Sequence, residues 1–427
     1  MDGFEIVAGL LTLAALFSYL NLRFLGLPTA IGLMAIGLAM SLGIIAVGSV
    51  FPGVYDGAVA LLSRIDFDET LMHGMLGLLL FAGALHVDLG GLLEQKRVIG
   101  LLASAGLLIS TAAVGGATWG LTQLLGLDLP FIVCLLYGAL ISPTDPIAVL
   151  ALLKSSGAPR RLETKIVGES LFNDGIAVVF FLAIAGAAGF SAGGHGSGME
   201  HGIALGVLEL FALETLGGGL FGLAAGWLTY AMLRSVDSYE VEVLLSLALA
   251  TGGYALAGAL GVSGPIAMVI AGLVIGNHGR RFAMSERTRE HLDTFWTLVD
   301  EILNAVLFVL IGLEVLIIPF DAHWLLPALA AVPIALGARA VAVGLPVQAM
   351  RTLREFTPHA VKVLTWGGLR GGISVALALS LKETLGEQQP RSYELVLLMT
   401  YNVVVFSILV QGLTMVPLLR RLGLSRS

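Results

Sequence analysis

The sequence predicts an all-α polytopic membrane protein of about 13 transmembrane helices, and three observations lead to this fold class. Only 12% of the 427 residues are charged, 57% are hydrophobic, and the mean hydropathy is +0.93. These values exclude an ordinary water-soluble domain. Apolar stretches of the ~20 residues that a helix needs to cross a bilayer follow one another along the whole chain. Lys and Arg residues collect in alternate connections between these stretches.

Thirteen stretches are taken as spans, although the one at 262–276 is shorter than the others. They lie at 4–22, 28–50, 70–88, 98–125, 129–153, 162–189, 202–233, 239–260, 262–276, 294–319, 322–349, 358–382 and 392–419. The span boundaries are least clearly marked in two regions. The region 50–70 is alternatively interpreted as an interfacial segment, and around residue 260 two spans follow each other with almost no connection.

The distribution of basic residues predicts the orientation in the membrane. An odd number of spans puts the two termini on opposite sides. With the C-terminus in the cytoplasm, most of the 23 Lys and Arg residues fall in cytoplasmic loops, and only Arg64, Lys382 and Arg391 fall in outer loops. This bias obeys the positive-inside rule. We therefore expect a multi-pass protein of the cell (plasma or inner) membrane with its N-terminus outside.

Two of the predicted spans are interrupted. The fifth contains LLYGALISPTDPIAVLALL, in which Pro143 and Pro146 each remove a backbone donor. The twelfth contains VLTWGGLRGGISVALAL, in which two Gly pairs flank Arg370. Irregular backbone at membrane depth persists only where it is buried in protein or lines a cavity. Because the two spans run in opposite directions, they predict two inverted six-helix repeats with crossed broken helices and a transport site near the midplane.

Polar side chains concentrate on the sixth span, GESLFNDGIAVVFF, at 168–181. A charge at the centre of a lone helix costs about 2.5 to 3.5 kcal/mol, so such residues persist mainly when they are paired or functional. Glu169 with Asn173, and Ser170 with Asp174, are both i, i+4 pairs. This spacing predicts two neighbouring polar stripes on one helix, one for an ion pair and one for a site.

Asp174 is the predicted ion-binding group. Its carboxylate, the hydroxyls of Ser170 and Thr144, and the carbonyls freed by the prolines are suitable ligands for a hard monovalent cation. Burial disfavours the charged form of a carboxyl group, so the same side chain takes up a proton when the cation leaves. Competition of the two ions for one carboxylate predicts exchange without net charge movement. Asn173, beside the site, adds no second negative charge.

Four other charged residues near the breaks form two predicted pairs, and each pair has two interpretations. Glu169 and Arg339 of the eleventh span form either a buried pair that fixes helix packing or, for Glu169, part of the ion site. Asp145 and Arg370 either neutralise the half-helix ends that meet at the crossing, or Asp145 coordinates the ion directly. The structural interpretation is favoured for both pairs, and Asp145 is also kept among the candidate ion- and proton-binding residues.

Several further titratable residues are kept out of the predicted site. Six carboxylates either line a funnel that gathers cations or pack at interfaces, namely Glu209, Glu214, Glu242, Asp300, Glu301 and Glu314. His73 and His86 flank the third span and are expected near the membrane interface. His195 and His201, in the loop 191–202, are too few to form a metal site.

Three motifs occur in order along the chain, SPTDP at 142–146, GESLFNDG at 168–175 and WGGLRGG at 366–372. Together they resemble the sodium/proton exchanger branch of the monovalent cation:proton antiporters (NhaP/NHE type), over essentially the whole membrane region. The resemblance implies a secondary active antiporter and no enzyme activity. It implies electroneutral 1:1 exchange of Na+, and also Li+, for H+ by alternating access, with no cofactor apart from the transported ions.

The resemblance also implies residue roles and an assembly. Asp174 is the shared cation and proton carboxylate, Asn173 marks the electroneutral class, and Ser170 and Thr144 assist the ion. The protein is expected to be a homodimer in the lipid bilayer, with no nucleic-acid partner and no soluble regulatory domain in this chain. The single membrane domain 1–427 would comprise a dimerisation scaffold (1–95 and 239–320, spans 1–3 and 8–10), an ion-transporting core (96–190 and 321–421, spans 4–6 and 11–13) and a linker helix (202–233).

The choice of cation stays open at this point. Members of the family often carry an acidic residue in the third span, whereas FAGALHVDL at 81–89 has only small residues there, with Asp88 late in the span. A K+/H+ antiporter would share every motif above. A passive cation channel would conduct without proton coupling. An intramembrane protease would need two aspartates on facing helices, and Asp145 and Asp174 satisfy this requirement only nominally.

Overall fold

The computed structural model describes residues 3–65, 67–145, 149–150, 153, 160–190, 203–318, 321–350 and 359–424. Pro146, the loop 191–202 with both its histidines, and the side chain of His73 lie outside the described part. Within it all regular secondary structure is helical, with α-helices, short π-helical segments and one 3₁₀ turn.

The α-helices are numbered here in chain order. Those of the first part are α1 (Gly3–Leu20), α2 (Thr29–Gly48), α3 (Pro52–Leu62), α4 (Phe67–Glu69), α5 (Leu76–Leu85), α6 (Leu89–Leu101), α7 (Leu107–Leu124), α8 (Phe131–Ile141) and α9 (Arg160–Ala187). Those of the second part are α10 (Ile203–Leu233), α11 (Tyr239–Ala259), α12 (Gly264–Val274), α13 (Arg280–Phe282), α14 (Glu286–Glu314), α15 (Leu325–Met350), α16 (Ala360–Trp366), α17 (Gly372–Leu379), α18 (Pro390–Phe406) and α19 (Gly412–Arg421).

Among the described residues, nine helices are long and apolar enough to cross a membrane. They are Phe4–Leu25, Thr29–Gly48, Leu89–Leu124, Leu162–Ala187, Glu209–Arg234, Tyr239–Ala259, Glu286–Glu314, Leu325–Met350 and Pro390–Arg421. Several of them join two α-helices through a π-helical segment, as Leu102–Gly106 joins α6 to α7. The predicted count of thirteen is not established by this number and stays a prediction.

The remaining four predicted spans contain shorter helices. The third contains α5 after the π-helical segment Thr70–Met75, and the ninth contains α12. The fifth contains α8, which ends at Ile141. The twelfth is divided into α16 and α17 by a non-helical stretch at 367–371. None of these four regions contains a single described helix of the length found in the other nine. In the fifth and twelfth, the cause is the predicted interruption by Pro or Gly residues.

Small residues let helices of the bundle approach closely. A Cβ atom on Gly37 of α2 would lie 3.1 Å from the Cα atom of Gly312 in α14. At the same crossing the hydroxyl of Ser41 donates to the carbonyl oxygen of Gly312 at 2.9 Å. Such small-residue crossings are how helices pack tightly in lipid, where the hydrophobic effect does not drive their association.

Candidate functional site

The two interrupted segments cross each other and are joined through their backbones. After α8 the chain is non-helical as far as Asp145, whose backbone N–H donates to the carbonyl oxygen of Leu369 at 2.8 Å. Leu369 belongs to the non-helical stretch between α16 and α17. The crossing therefore gives hydrogen-bond partners to backbone groups that the broken helices leave free, as burial at membrane depth requires.

Arg370 stabilises this crossing at the carboxyl end of α8. Its Nη1 atom donates to the carbonyl oxygens of Ser142, at 2.5 Å, and of Pro143, at 2.8 Å. Its backbone N–H donates to the hydroxyl of Ser407 at 2.8 Å. The buried guanidinium thus lies at the negative end of the α8 dipole, where a cation is favoured.

Glu169 and Arg339 form a buried ion pair between α9 and α15. The two residues are 1% and 5% exposed, so both charges are almost completely removed from solvent. Gly368 of the broken stretch makes room for the guanidinium, because a Cβ atom there would lie 3.1 Å from the Cζ atom of Arg339. The ion pair joins α9 to α15, and through the contact of Arg339 with Gly368 it also packs against the twelfth predicted span.

The next residue of α9 faces a different partner. The hydroxyls of Ser170 and Thr144 lie 2.9 Å apart and are both buried. α9 therefore has the two polar faces that its i, i+4 spacing predicts, with Glu169 on one and Ser170 on the other. The contact between Thr144 and Ser170 also brings the non-helical stretch after α8 against α9. Residues of the fifth and sixth predicted spans therefore meet.

Asp174 lies one turn further along the Ser170 face and is 7% exposed. No ion pair of its carboxylate is found among the residues that the structure describes. Its neighbour Asn173 is buried, and the Oδ1 atom of that amide has no hydrogen-bond partner within the described part of the chain. Asp174 is therefore a buried carboxylate without a direct ion pair in the described structure, and the nearest fixed positive charge acting on it is the guanidinium of Arg370, which is itself bound to two carbonyl oxygens at the carboxyl end of α8.

A cavity of about 660 Å³ gives access to this carboxylate. Asp174 and Asp145 both line it, together with Gly371 and Gly372 of the second interruption. Its wall also includes Glu163, in the first turn of α9, and residues at the starts of α2 and α6. The cavity therefore leads from the helix crossing towards the end of the molecule where these helices begin.

The cavity wall carries six carboxylates, and its one basic side chain among the described residues is that of His86. Its carboxylates are those of Asp88, Asp145, Glu163, Asp174, Asp300 and Glu301, and no Lys or Arg side chain lines it. Low-dielectric walls with charges of one sign concentrate ions of the opposite sign. The surroundings of Asp174 thus favour cations.

Two cavity residues were missed by sequence reasoning. Ser374, near the start of α17, and Asn304 of α14 are both buried, and each has an oxygen without a hydrogen-bond partner in the described structure. For Ser374 the only sequence signal was a hydroxyl following the second Gly pair. For Asn304 it was a polar residue one turn after Asp300 in an otherwise apolar stretch.

The acidic residue late in the third predicted span has a structural contact. Asp88 caps the N-terminus of α6, accepting from the backbone N–H groups of Gly90 at 3.1 Å and Gly91 at 3.0 Å. His86, close by at the cavity wall, has its Nδ1 atom 2.8 Å from the carbonyl oxygen of Ala82. A carbonyl only accepts, so Nδ1 carries a proton.

Comparison with known proteins identifies the family of the chain. A family model described as "Sodium/hydrogen exchanger, transmembrane" matches residues 11–421, nearly the whole chain. The chain belongs to the sodium/hydrogen exchanger family. The resemblance inferred from the three motifs is therefore confirmed.

Individual relatives extend this similarity over the full length. The chain is 48% identical over 423 residues to the Na+/H+ antiporter NhaP of Pseudomonas aeruginosa, covering 98% of this chain and 96% of that protein. It is 38% identical to the Na+/H+ antiporter NhaH of Halobacillus dabanensis, over 84% of each chain. The solved structure of the sodium proton antiporter MjNhaP1 from Methanocaldococcus jannaschii matches with a TM-score of 0.75 over 98% of both chains, at 19% identity. This last similarity establishes the shared fold.

Proposed function

We propose that the protein is a secondary active antiporter that exchanges Na+ for H+ across a membrane. The observation that carries the proposal is Asp174, a buried carboxylate without an ion pair in the described structure, which lines a cation-favouring cavity at the crossing of two broken helices. Membership of the sodium/hydrogen exchanger family supports the same function. The relatives named above are Na+/H+ antiporters, which favours Na+ as the cation over K+.

Each cycle uses the Asp174 carboxylate for one ion at a time. In the cation-loaded form, the carboxylate and the hydroxyls of Ser170 and Thr144 supply oxygen ligands, with Asp145 and Asn173 beside them. When the cation leaves, the desolvated carboxylate binds a proton. If only the loaded forms reorient between the two sides, one Na+ moves for one H+ and no net charge crosses the membrane.

The ion pair and the crossing arginine have supporting roles in this cycle. Glu169 is neutralised by Arg339, so it neither binds the transported cation nor adds a charge that moves with it. Arg370 holds the carboxyl end of α8 in place. Asp145, whose backbone joins the two broken segments, positions Thr144 next to Ser170.

The larger-scale features are proposed on the same basis. Thirteen spans in two inverted repeats, with the C-terminus in the cytoplasm of a cell membrane, would place the cavity opening on the cytoplasmic side. The scaffold regions 1–95 and 239–320 would form a homodimer, while the core regions 96–190 and 321–421 would move and carry the ion, joined through the linker helix 202–233. K+/H+ exchange at the same site is the second candidate, because carboxylate and hydroxyl oxygens also bind K+.

The function is tested with the purified full chain in liposomes that contain an internal pH dye. We expect external Na+ and Li+ to drive proton movement in the wild type, and the Asp174→Asn variant to lose this response. Asp128→Asn, at an exposed position between α7 and α8, is the matched control and should retain wild-type rates. Cation-driven proton movement in Asp174→Asn would overturn the assignment of the site. A wild-type response to K+ but not to Na+ would identify K+ as the exchanged cation.

The same liposomes test whether exchange is electroneutral. With the ion concentrations fixed and the membrane potential clamped at different values, the initial rate of exchange should not change. A rate that follows the voltage would contradict the 1:1 stoichiometry. It would point to a second titrating carboxylate, for which Asp145 is the candidate because it lines the same cavity.

A further inference from the structure

A second group of oxygen atoms lines the cavity, on a helix that carries none of the residues assigned above. Asp300 and Asn304 lie four residues apart on α14, so they share one face of this helix. Both line the cavity that also contains Asp174, as does Glu301. No part of the exchange mechanism derived so far uses them.

The orientation of the Asn304 amide is determined by its partners. Its Nδ2 atom donates to the backbone carbonyl oxygen of Asp300 at 2.8 Å and to the Oδ1 atom of the same residue at 3.1 Å. A backbone carbonyl can only accept, so the amide nitrogen must face it. The amide oxygen is then directed away from these two partners.

This amide oxygen has no partner among the residues that the structure describes. Asn304 is only 6% exposed, yet it lines the cavity. Buried polar atoms are almost always satisfied by protein, water or an ion. The amide oxygen of Asn304 is therefore a buried acceptor without a protein partner in the described structure, in a residue of the cavity wall beside the carboxylate of Asp300, and a cation or water bound there would satisfy it.

The chemistry of the group selects a hard cation. The oxygens of Asp300, Asn304 and Glu301 are the donors that hard cations prefer. No Lys or Arg side chain of the described chain lines the cavity to compete for them. With about 30 Å³ per water molecule, the cavity has room for a hydrated ion and further waters, which supply the remaining ligands.

We propose that Asp300 and Asn304 form a second cation site, which holds a partly hydrated Na+ ion in the cavity before it reaches Asp174. The inference rests on the proposed exchange of Na+ for H+. The site contributes an acidic ligand from α14, whereas Asp88, the acidic residue of the third predicted span at the cavity, uses its carboxylate to cap α6. Occupancy of this site raises the concentration of Na+ next to Asp174.

Binding of radioactive Na+ to the purified full chain tests the site separately from transport. In Asp174→Asn, which removes the carboxylate of the first site, we expect saturable Na+ binding to persist. We expect it to disappear in the double variants that add either Asp300→Asn or Asn304→Leu, a change that keeps the branched shape of the side chain and removes the amide oxygen. Glu290→Gln, at an exposed carboxylate of the same helix, is the control and should leave binding unchanged.

Transport kinetics give the second measurement. With Asp174 intact, Asp300→Asn should raise the half-saturating Na+ concentration about fivefold, the effect of one charge about 4 Å away in a water-like dielectric. The maximal rate should stay near that of the wild type. The proposal is overturned if Asp174→Asn binds no Na+, or if its binding survives both second substitutions. Retained exchange in Asp174→Asn would instead refute the primary site, so the two failures are distinguishable.

Discussion

At the scale of single residues, neighbouring positions of α9 have different tasks. Glu169 meets the guanidinium of Arg339, whereas Ser170 meets the hydroxyl of Thr144. Successive residues of an α-helix are separated by about 100° because one turn takes 3.6 residues. Two adjacent side chains therefore point to different neighbours, and one helix can both hold the bundle together and present an ion ligand.

The first prediction concerns the buried ion pair. Glu169→Gln leaves the guanidinium of Arg339 buried without its counter-charge, and breaking such a pair costs about 3–5 kcal/mol. We expect a corresponding loss in the free energy of unfolding, measured by denaturant titration of the protein in detergent micelles. Glu290→Gln, an exposed carboxylate on α14, is the control and should leave stability within about 0.5 kcal/mol of the wild type.

A double variant separates the pair from its surroundings. Glu169→Gln with Arg339→Gln removes both charges, so it should be more stable than Glu169→Gln alone. A double variant that loses as much stability as the sum of the single variants would contradict this account, because coupled partners are not additive.

At the scale of elements, the contact between the two broken segments depends on glycine at position 371, because the side chain of Asp145 leaves no space for a larger residue. Gly371 has a φ of −128°, which any residue can adopt, so its backbone does not demand glycine. A Cβ atom at this position would lie 2.7 Å from the Cβ atom of Asp145. The second Gly pair thus lets the side chain of Asp145 pass directly over the broken stretch before α17.

The second prediction follows from this contact. Gly371→Ala should displace Asp145 and lengthen the backbone hydrogen bond to Leu369, with a loss of stability of about 1–3 kcal/mol, as for other overpacked sites. Because Thr144 moves with Asp145, the half-saturating Na+ concentration in liposomes should rise as well. The control is Gly120→Ala in α7, where a Cβ atom meets nothing within 4 Å. An unchanged Na+ dependence in Gly371→Ala would show that the crossing tolerates the methyl group.

The interrupted elements are also where the sequence was most informative. Proline and the paired glycines disturb a helix locally, so both breaks could be predicted, as could the two polar faces of α9. The cavity could not be predicted in this way. It arises where α2, α5, α9, α14 and α17 meet, and the spacing along one helix does not tell which face of another it approaches. Asn304 and Ser374 were missed for this reason.

At the scale of the whole molecule, the described helices form a bundle with one large cavity in its described part that ends at the crossing. The starts of α2, α6 and α9 contribute to its wall, and the positive-inside rule assigns the connections before all three helices to the cytoplasm. With the proposed orientation, this arrangement would correspond to an inward-open state of the proposed antiporter. The family assignment rests on 411 matched residues, from 11 to 421, and says nothing of the state.

The last prediction tests this orientation. Thr297 is an exposed residue of α14 at the cavity wall, and Asp128 is exposed in the connection between α7 and α8, which the proposed orientation places outside. In a background with Cys134→Ser, which removes the single cysteine, Thr297→Cys should react with a membrane-impermeant maleimide only from the cytoplasmic side. Asp128→Cys should react only from the outside. Labelling of intact cells and of inverted vesicles gives both readings, and reaction of Thr297→Cys in intact cells would reverse the proposed topology.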